Sequence, residues 1–129
     1  MRGTSSTSFA EVLRQAEAAP AADAVPDTEA EELFSVADAI DSSNQLVRML
    51  SDAGRPAAVK EAAVRSLFEG RVGPRTLELA LEVVRRRWSE QEDILDALEL
   101  LGVSTLLDLA LREGVLEQIE GELFQASRL

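Results

Sequence analysis

The chain of 129 residues contains no cysteine, no histidine and no tyrosine. Without cysteine it has neither a disulfide framework nor a thiolate that could act as metal ligand or nucleophile. Without histidine it lacks the usual general base and metal ligand of proteins. No apolar run approaches the roughly 18 residues of a membrane span. The opening MRGTSS carries no apolar segment, so it is not expected to act as a secretory signal.

What the chain does contain favours helices. Apolar residues make up 46% of it, mainly Leu, Ala and Val, while Gly and Pro number only seven and four. This composition predicts one folded, helical domain. Acidic residues outnumber basic ones by 24 to 13, for a formal charge of −11. Such a charge repels nucleic acid and anionic lipid and favours basic partners. We interpret the acidic stretches as solvated helix faces.

Apolar residues at spacings of three and four predict seven helices, with a proline-bounded linker over 20–26 and a break at Gly114. The predicted helices cover residues 8–19, 28–40, 43–50, 56–69, 74–88, 90–113 and 115–129. Three positions have the capping-box spacing that marks a helix start: Thr28, Ser42 and Ser89. The inward side of the fourth helix is assigned to Val59, Ala62, Ala63, Leu67 and Phe68, and that of the last to Leu116, Ile119, Leu123 and Phe124.

The helix over 74–88 has an unusually wide apolar face. Its apolar residues span an arc of about 200°, whereas a surface helix needs a stripe of only about 100°. This helix is therefore expected to be buried on two sides, either at the centre of a bundle or between its own bundle and a partner. After it, Arg85 to Arg87 give way to the acids Glu90, Glu92 and Asp93, a reversal that we interpret as a boundary between two helices.

No arrangement of residues points to catalysis. The glycine-containing segment GRVGP lacks the lysine and the strand of a phosphate loop, and no serine lies in a nucleophile elbow. Carboxylates are abundant but lie on helix faces, and Glu32 and Asp38, beside apolar stripes, are interpreted as surface acids. We expect no catalytic residue, no cofactor and no metal site. The sequence predicts a binding or scaffold module.

Two long stretches resemble a known family. The segments ELFSVADAIDSSNQLVRMLSD (32–52) and PAAVKEAAVRSLF (56–68), continued by RRRWS and DILDALE, resemble the delta subunit of F-type ATP synthases. The mitochondrial counterpart of this family is the oligomycin sensitivity conferral protein. The opening MRG and the block VRRRWSEQEDILDALE are similar to the longer delta chains of actinobacteria.

The resemblance implies an all-α, six-helix amino-terminal domain of a non-catalytic stator subunit in the peripheral stalk. Such a subunit links the catalytic head to the membrane-anchored stalk. It would lie at the cytoplasmic face of the bacterial membrane without inserting into it. The implied partners are the amino-terminal helix of an alpha subunit and the stalk b subunit, with no nucleic acid and no small-molecule substrate. In isolation the domain is expected to be monomeric.

In this family the groove between the first and fifth helices receives the alpha-subunit helix. By that resemblance, and from the edge of the wide apolar face of the fifth helix, we predict a partner-helix groove. Its residues are Phe9, Val12, Leu13, Ala16, Leu79, Val83 and Arg87.

The end of the chain departs from the family pattern. Family members usually begin with a helix similar to residues 106–124, and the motif around Leu33 and Phe34 recurs weakly at Leu123 and Phe124. We therefore expect residues 1–113 to form the six-helix domain, as the first copy of a duplicated module. Residues 114–129 would begin the following module. Which copy binds the alpha-subunit helix stays open.

Two other function classes remain as alternatives. The runner-up is a helical interaction module of a regulatory protein, either death-domain-like or of the partner-switching type. An enzyme is the third, and a deep polar pocket that encloses carboxylates would favour it.

Overall fold

The structure is a computed structural model that describes residues 3–18 and 26–128. Six helices occupy these ranges and no strand is found in them, so the predicted all-α bundle is confirmed. The helices are α1 Thr4–Ala18, α2 Pro26–Asp41, α3 Asn44–Ser51, α4 Ala57–Phe68, α5 Pro74–Arg85 and α6 Asp93–Arg128.

Helix α5 lies at the centre of the bundle. It contacts α1, α2, α4 and α6, and its buried residues are Thr76, Leu77, Leu79, Ala80, Leu81, Val83 and Val84. The predicted burial on two sides is thus confirmed, because neighbouring helices of the same chain cover both sides of the wide apolar face. Helix α2 packs along α6 and contributes Leu33, Val36 and Ile40 to the core.

The helix starts differ from the capping boxes that the sequence predicted. Helix α2 begins at Pro26, where a proline suits the first turn, so Thr28 lies inside the helix. The cap of α3 is Ser43 and not Ser42: its side chain accepts a hydrogen bond from the Leu46 amide at 3.3 Å. Pro74 occupies the first turn of α5 as predicted.

Ser89, predicted to cap the sixth helix, lies four residues before α6 begins at Asp93. It pairs instead with Ser5 at the start of α1: the Ser89 amide donates to Ser5 Oγ, and the Ser5 amide donates to Ser89 Oγ at 3.4 Å. Asp93 caps the turn before α6, since its Oδ2 accepts a hydrogen bond from the Glu90 amide at 3.2 Å. The charge reversal does lie at a helix boundary, as predicted.

Helix α4 is rotated relative to the prediction. Val59 and Leu67 are 46% and 37% exposed, whereas Lys60, Val64 and Phe68 are buried. These three residues repeat every four positions and so form one face of the helix. Phe68 is buried as predicted. Val59 and Leu67 lie one position away from the buried face, and the prediction assigned them to it because it excluded a lysine from the core.

Helix α6 continues through Gly102, Gly114 and Gly121. The predicted break at Gly114 is wrong: the helix runs for 36 residues, about 54 Å at 1.5 Å per residue. A single glycine costs a helix only about 1 kcal/mol relative to alanine, and helix-forming residues surround this one. The side chains of Leu116, Ile119, Leu123 and Phe124 lie outside the described residues, as does most of the predicted linker. The division at residues 113 and 114 stays a prediction.

Candidate partner-helix cleft

A cleft of about 350 Å³ opens between α1 and α5, the two helices that the sequence prediction brought together. Helix α1 contributes Gln15 and Ala16, and α5 contributes Pro74, Arg75, Glu78, Leu79 and Glu82. The α5 residues recur at intervals of three and four, so they form one face of that helix. The cleft therefore follows the first two turns of α5.

Arg75 closes one end of the cleft. Its Nε donates to Glu29 Oε1 at 2.9 Å, and a terminal nitrogen donates to the carbonyl oxygen of Ala16 at 2.7 Å. This carbonyl belongs to the last turn of α1, where carbonyl groups have no partner within the helix. Arg75 thus joins the end of α1 to both α2 and α5, and its charge is already paired with a buried carboxylate.

Arg86 pairs with Glu82, a residue that lines the cleft. Its terminal nitrogens donate to Glu11 of α1 at 2.7 Å and to Glu82 at 3.0 Å. A second cavity of about 340 Å³ continues beyond this point, lined by Glu11, Arg14, Gln15 and Arg86. The ion pairs of Arg86 therefore join α1 to the end of α5 beside this second cavity.

The neighbouring arginines Arg85 and Arg87 do not line the cleft. Arg85 pairs with Glu61 of α4 and with Glu82. Burial alone would lower the pKa of Arg85, but the hydrogen bonds and charges of these two carboxylates raise it. The Arg87 side chain is exposed, and its carbonyl oxygen accepts a hydrogen bond from Ser8 Oγ at 2.5 Å.

The predicted groove residues fall into three groups. Ala16 and Leu79 line the cleft. Val12 and Val83 have no exposed surface and belong to the core beneath it, while Phe9 and Leu13 are partly buried against that core. Arg87 is exposed beyond the far end of α5. The binding function of this set stays a prediction.

The sequence prediction missed the polar walls of the cleft, since it considered mainly apolar residues. Gln15, Arg75, Glu78 and Glu82 were not singled out, although the α5 members lie three or four positions from Leu79 or from each other. That spacing was the available signal. Among the described residues Glu78 forms no salt bridge, whereas Arg75 and Glu82 are both paired. Glu78 thus places on the cleft wall an exposed carboxylate that forms no ion pair with the described residues.

Neither a metal-binding cluster nor a membrane-spanning helix is found in the described part of the chain. No group of three or more acidic or other ligating side chains is placed to hold a metal ion there. None of the helices in the described ranges combines the length and the apolar character that crossing a membrane demands.

Comparison with known proteins gives the family. No family model matches the chain. Proteins named ATP synthase subunit delta align with all of it: that of Acidothermus cellulolyticus is 38% identical over 133 residues, and that of Thermobifida fusca is 37% identical over 131 residues. That of Beutenbergia cavernae is 39% identical over 99 residues, or 77% of the chain. The chain belongs to the ATP synthase delta subunit family.

The predicted family is thereby confirmed, and the relatives come from actinobacteria, as the resemblance had indicated. The chain spans less than half the length of these delta subunits: 48% of the Acidothermus and Thermobifida proteins and 36% of the Beutenbergia protein.

Proposed function

We propose that this protein is a non-catalytic subunit of a rotary, proton-translocating ATP synthase, in which it links the catalytic head to the peripheral stalk. The relatives are named as delta subunits of ATP synthase, which supports membership of that complex. Through the complex the protein would associate peripherally with the membrane, at its cytoplasmic face. Its partners would be the amino-terminal helix of the alpha subunit and the b subunit of the stalk.

The cleft between α1 and α5 is the proposed seat of the alpha-subunit helix, and it is the observation that carries the proposal. Its floor is apolar at Ala16, Leu79 and Pro74, and its walls are polar. An amphipathic helix binds such a groove through apolar side chains that are three or four residues apart. The floor is narrower than the sequence predicted, because Val12 and Val83 are fully covered.

The charge of the cleft suggests which helix would fit. Glu78 is exposed on one wall and forms no ion pair among the described residues, while Arg75, the cation that also lines the cleft, is held by Glu29. A partner helix with a Lys or Arg beside its apolar stripe would gain a charge-assisted contact there. A helix with an acid at that position would be repelled. We therefore expect selectivity for a partner with a basic flank.

A peptide titration tests the cleft. The alpha-subunit amino terminus of Thermobifida fusca, as a peptide of about 20 residues, would be titrated into the chain by calorimetry. We expect Ala16→Trp to weaken binding by about tenfold or more, since the indole would fill the cleft. Ala39→Trp on the exposed face of α2 is the matched control and should bind as the parent chain does.

The titration has clear contrary outcomes. Equal affinity of the Ala16→Trp and Ala39→Trp variants would place the peptide elsewhere on the chain. Absence of binding at hundreds of micromolar peptide, with the parent chain folded, would remove the alpha-subunit helix as the occupant of this cleft.

The proposed link between the catalytic head and the stalk is tested in the assembled complex. Membranes of an actinobacterium that expresses the tagged chain would be solubilised, and the chain would be purified by its tag. Co-purification of alpha and b subunits in fixed proportion is the expected result. Recovery of the chain without any ATP synthase subunit would instead favour a regulatory interaction module.

A further inference from the structure

Helix α6 carries a second apolar face, away from the bundle. Its core side consists of Ile94, Ala97, Leu98 and Leu101, which are buried. On the other side Leu100, Val103, Leu107 and Leu111 follow one another at intervals of three and four, and are 43%, 43%, 58% and 67% exposed. We refer to these four residues as the outer stripe. Such spacing places them on one side of the helix.

Beyond Gly102, none of the described residues of α6 is buried in the bundle. The helix nevertheless continues to Arg128. Most helices in proteins owe their stability to packing of an apolar face, and a helix without such packing is marginal in water. A long helix with an outer apolar stripe is therefore typical of one that packs against something further.

The charges around the outer stripe indicate the character of that partner. Residues 93–111 contain four acids, Asp93, Asp96, Glu99 and Asp108, and no Lys or Arg. The last three are exposed. A second copy of this chain would bring the same acids together, on molecules that each carry a formal charge of −11. A helix with basic residues beside its apolar stripe would be attracted instead.

We propose that the outer stripe of α6 is a docking surface for a basic amphipathic helix of another polypeptide. The stripe extends over the 12 residues 100–111, or about 17 Å along the helix axis, which matches about three turns of a partner helix. This surface is separate from the cleft between α1 and α5 and does not depend on it. The chain would thus bind two helices at two places.

Two designed peptides test the proposal on the whole chain. The first is a capped helical peptide of about 18 residues, with leucines at intervals of three and four and lysines on both flanks. The second has glutamates in place of the lysines. We expect the lysine peptide to bind and the glutamate peptide not to bind. Raising the salt from about 0.1 M to about 0.5 M should weaken binding, because salt screens exposed charges.

Two double variants show which surface is used. Leu107→Gln with Leu111→Gln removes the two most exposed leucines of the outer stripe and keeps a good helix former at each position. It should weaken binding of the lysine peptide by about tenfold or more. Val59→Gln with Leu67→Gln removes exposed apolar residues of α4 in the same way. This control should leave the affinity within about twofold.

Several results would overturn the proposal. These are equal loss of affinity in both double variants, equal binding of both peptides, or no binding at hundreds of micromolar. Loss of binding in Ala16→Trp would show that the lysine peptide binds in the cleft between α1 and α5 and not on the outer stripe of α6. Self-association of the chain in sedimentation, abolished by Leu107→Gln with Leu111→Gln, would assign the stripe to a second copy.

Discussion

The ring of Phe34 in α2 lies directly over Gly102 in α6. A Cβ atom at position 102 would stand 2.9 Å from the ring carbons Cε1 and Cζ, closer than side chains tolerate. Glycine normally weakens a helix by about 1 kcal/mol relative to alanine. Here its missing side chain lets the Phe34 ring settle on α6, so the two helices pack closely.

The substitution Gly102→Ala sets two effects against each other. The helix gains about 1 kcal/mol from alanine, whereas overpacking costs about 1–3 kcal/mol. We expect a net decrease in the free energy of unfolding of up to about 2 kcal/mol. In a Phe34→Ala background the ring is absent, so the same substitution should increase it by about 1 kcal/mol. Urea unfolding of the parent chain, the two single variants and the double variant measures both changes in the free energy of unfolding. An effect of Gly102→Ala with the same sign in both backgrounds would contradict the packing argument.

Glu32 of α2 caps the start of α5. Its Oε2 accepts a hydrogen bond from the Gly73 amide at 2.9 Å, and its Oε1 accepts one from Thr76 Oγ1 at 2.8 Å. Thr76 is only 1% exposed. The substitution Glu32→Ala removes the acceptor of both donors, and an unsatisfied buried donor costs about 1–3 kcal/mol. We expect a loss of that size in chemical unfolding.

Two variants calibrate this prediction. Glu32→Gln keeps one oxygen acceptor and should lose less than Glu32→Ala does. Glu31→Ala changes the exposed neighbour on the same helix and should stay within about 0.5 kcal/mol of the parent chain. If Glu31→Ala and Glu32→Ala were equally stable, the cap would have no energetic role.

The sequence prediction failed for Glu32 for a physical reason. It treated this residue as a surface acid and looked for caps within three residues of each helix start. The two partners of Glu32 lie 41 and 44 positions away, and Ser5 and Ser89 are separated by 84 positions. Capping across the chain depends on how helices pack, and local spacing carries no information about packing.

Periodicity predicted the helices and the central place of α5 well, because a wide apolar face can be seen in one segment alone. It did not predict what covers that face. Val83 and Val12 were assigned to a partner groove, but the chain's own helices cover both completely. Glu78 lines the cleft and is exposed. A prediction from apolar residues alone could not include it, because it is polar.

Ser5 connects the start of α1 to the joint between α5 and α6. Its hydroxyl donates to Asp93 Oδ2 at 2.5 Å and accepts a hydrogen bond from the Ser89 amide, and the residue is fully buried. Ser5→Ala removes both hydrogen bonds, and we expect a loss of about 1–3 kcal/mol. Amide exchange in α1 should become faster, because this attachment is lost.

The neighbouring serine provides the control. Ser6 is exposed, so Ser6→Ala should change stability by less than about 0.5 kcal/mol and leave the exchange of α1 as it is. Equal exchange rates in the Ser5→Ala and Ser6→Ala variants would mean that α1 is held by its apolar contacts alone.

Lys60 is the sole lysine of the chain, and it is only 5% exposed. Burial lowers its pKa from the ordinary value of 10.5, and the charge of Asp52 opposes that shift without cancelling it. A charged lysine is therefore less favourable in the folded state than in the unfolded chain. Lys60→Met keeps the length of the side chain and removes the charge. At pH 7 we expect it to raise the free energy of unfolding by about 1 kcal/mol.

The advantage of Lys60→Met should depend on pH in one direction. Because the folded pKa is lowered, the unfolded parent chain binds more protons between that value and 10.5. The parent chain therefore gains stability as the pH rises through this window, and its difference from Lys60→Met shrinks. The chain has no tyrosine or cysteine to titrate there. Arg65→Met, at an exposed position of the same helix, should show no such dependence. A difference between Lys60→Met and the parent chain that stays constant from pH 7 to about pH 10.5 would show that the buried charge carries no cost.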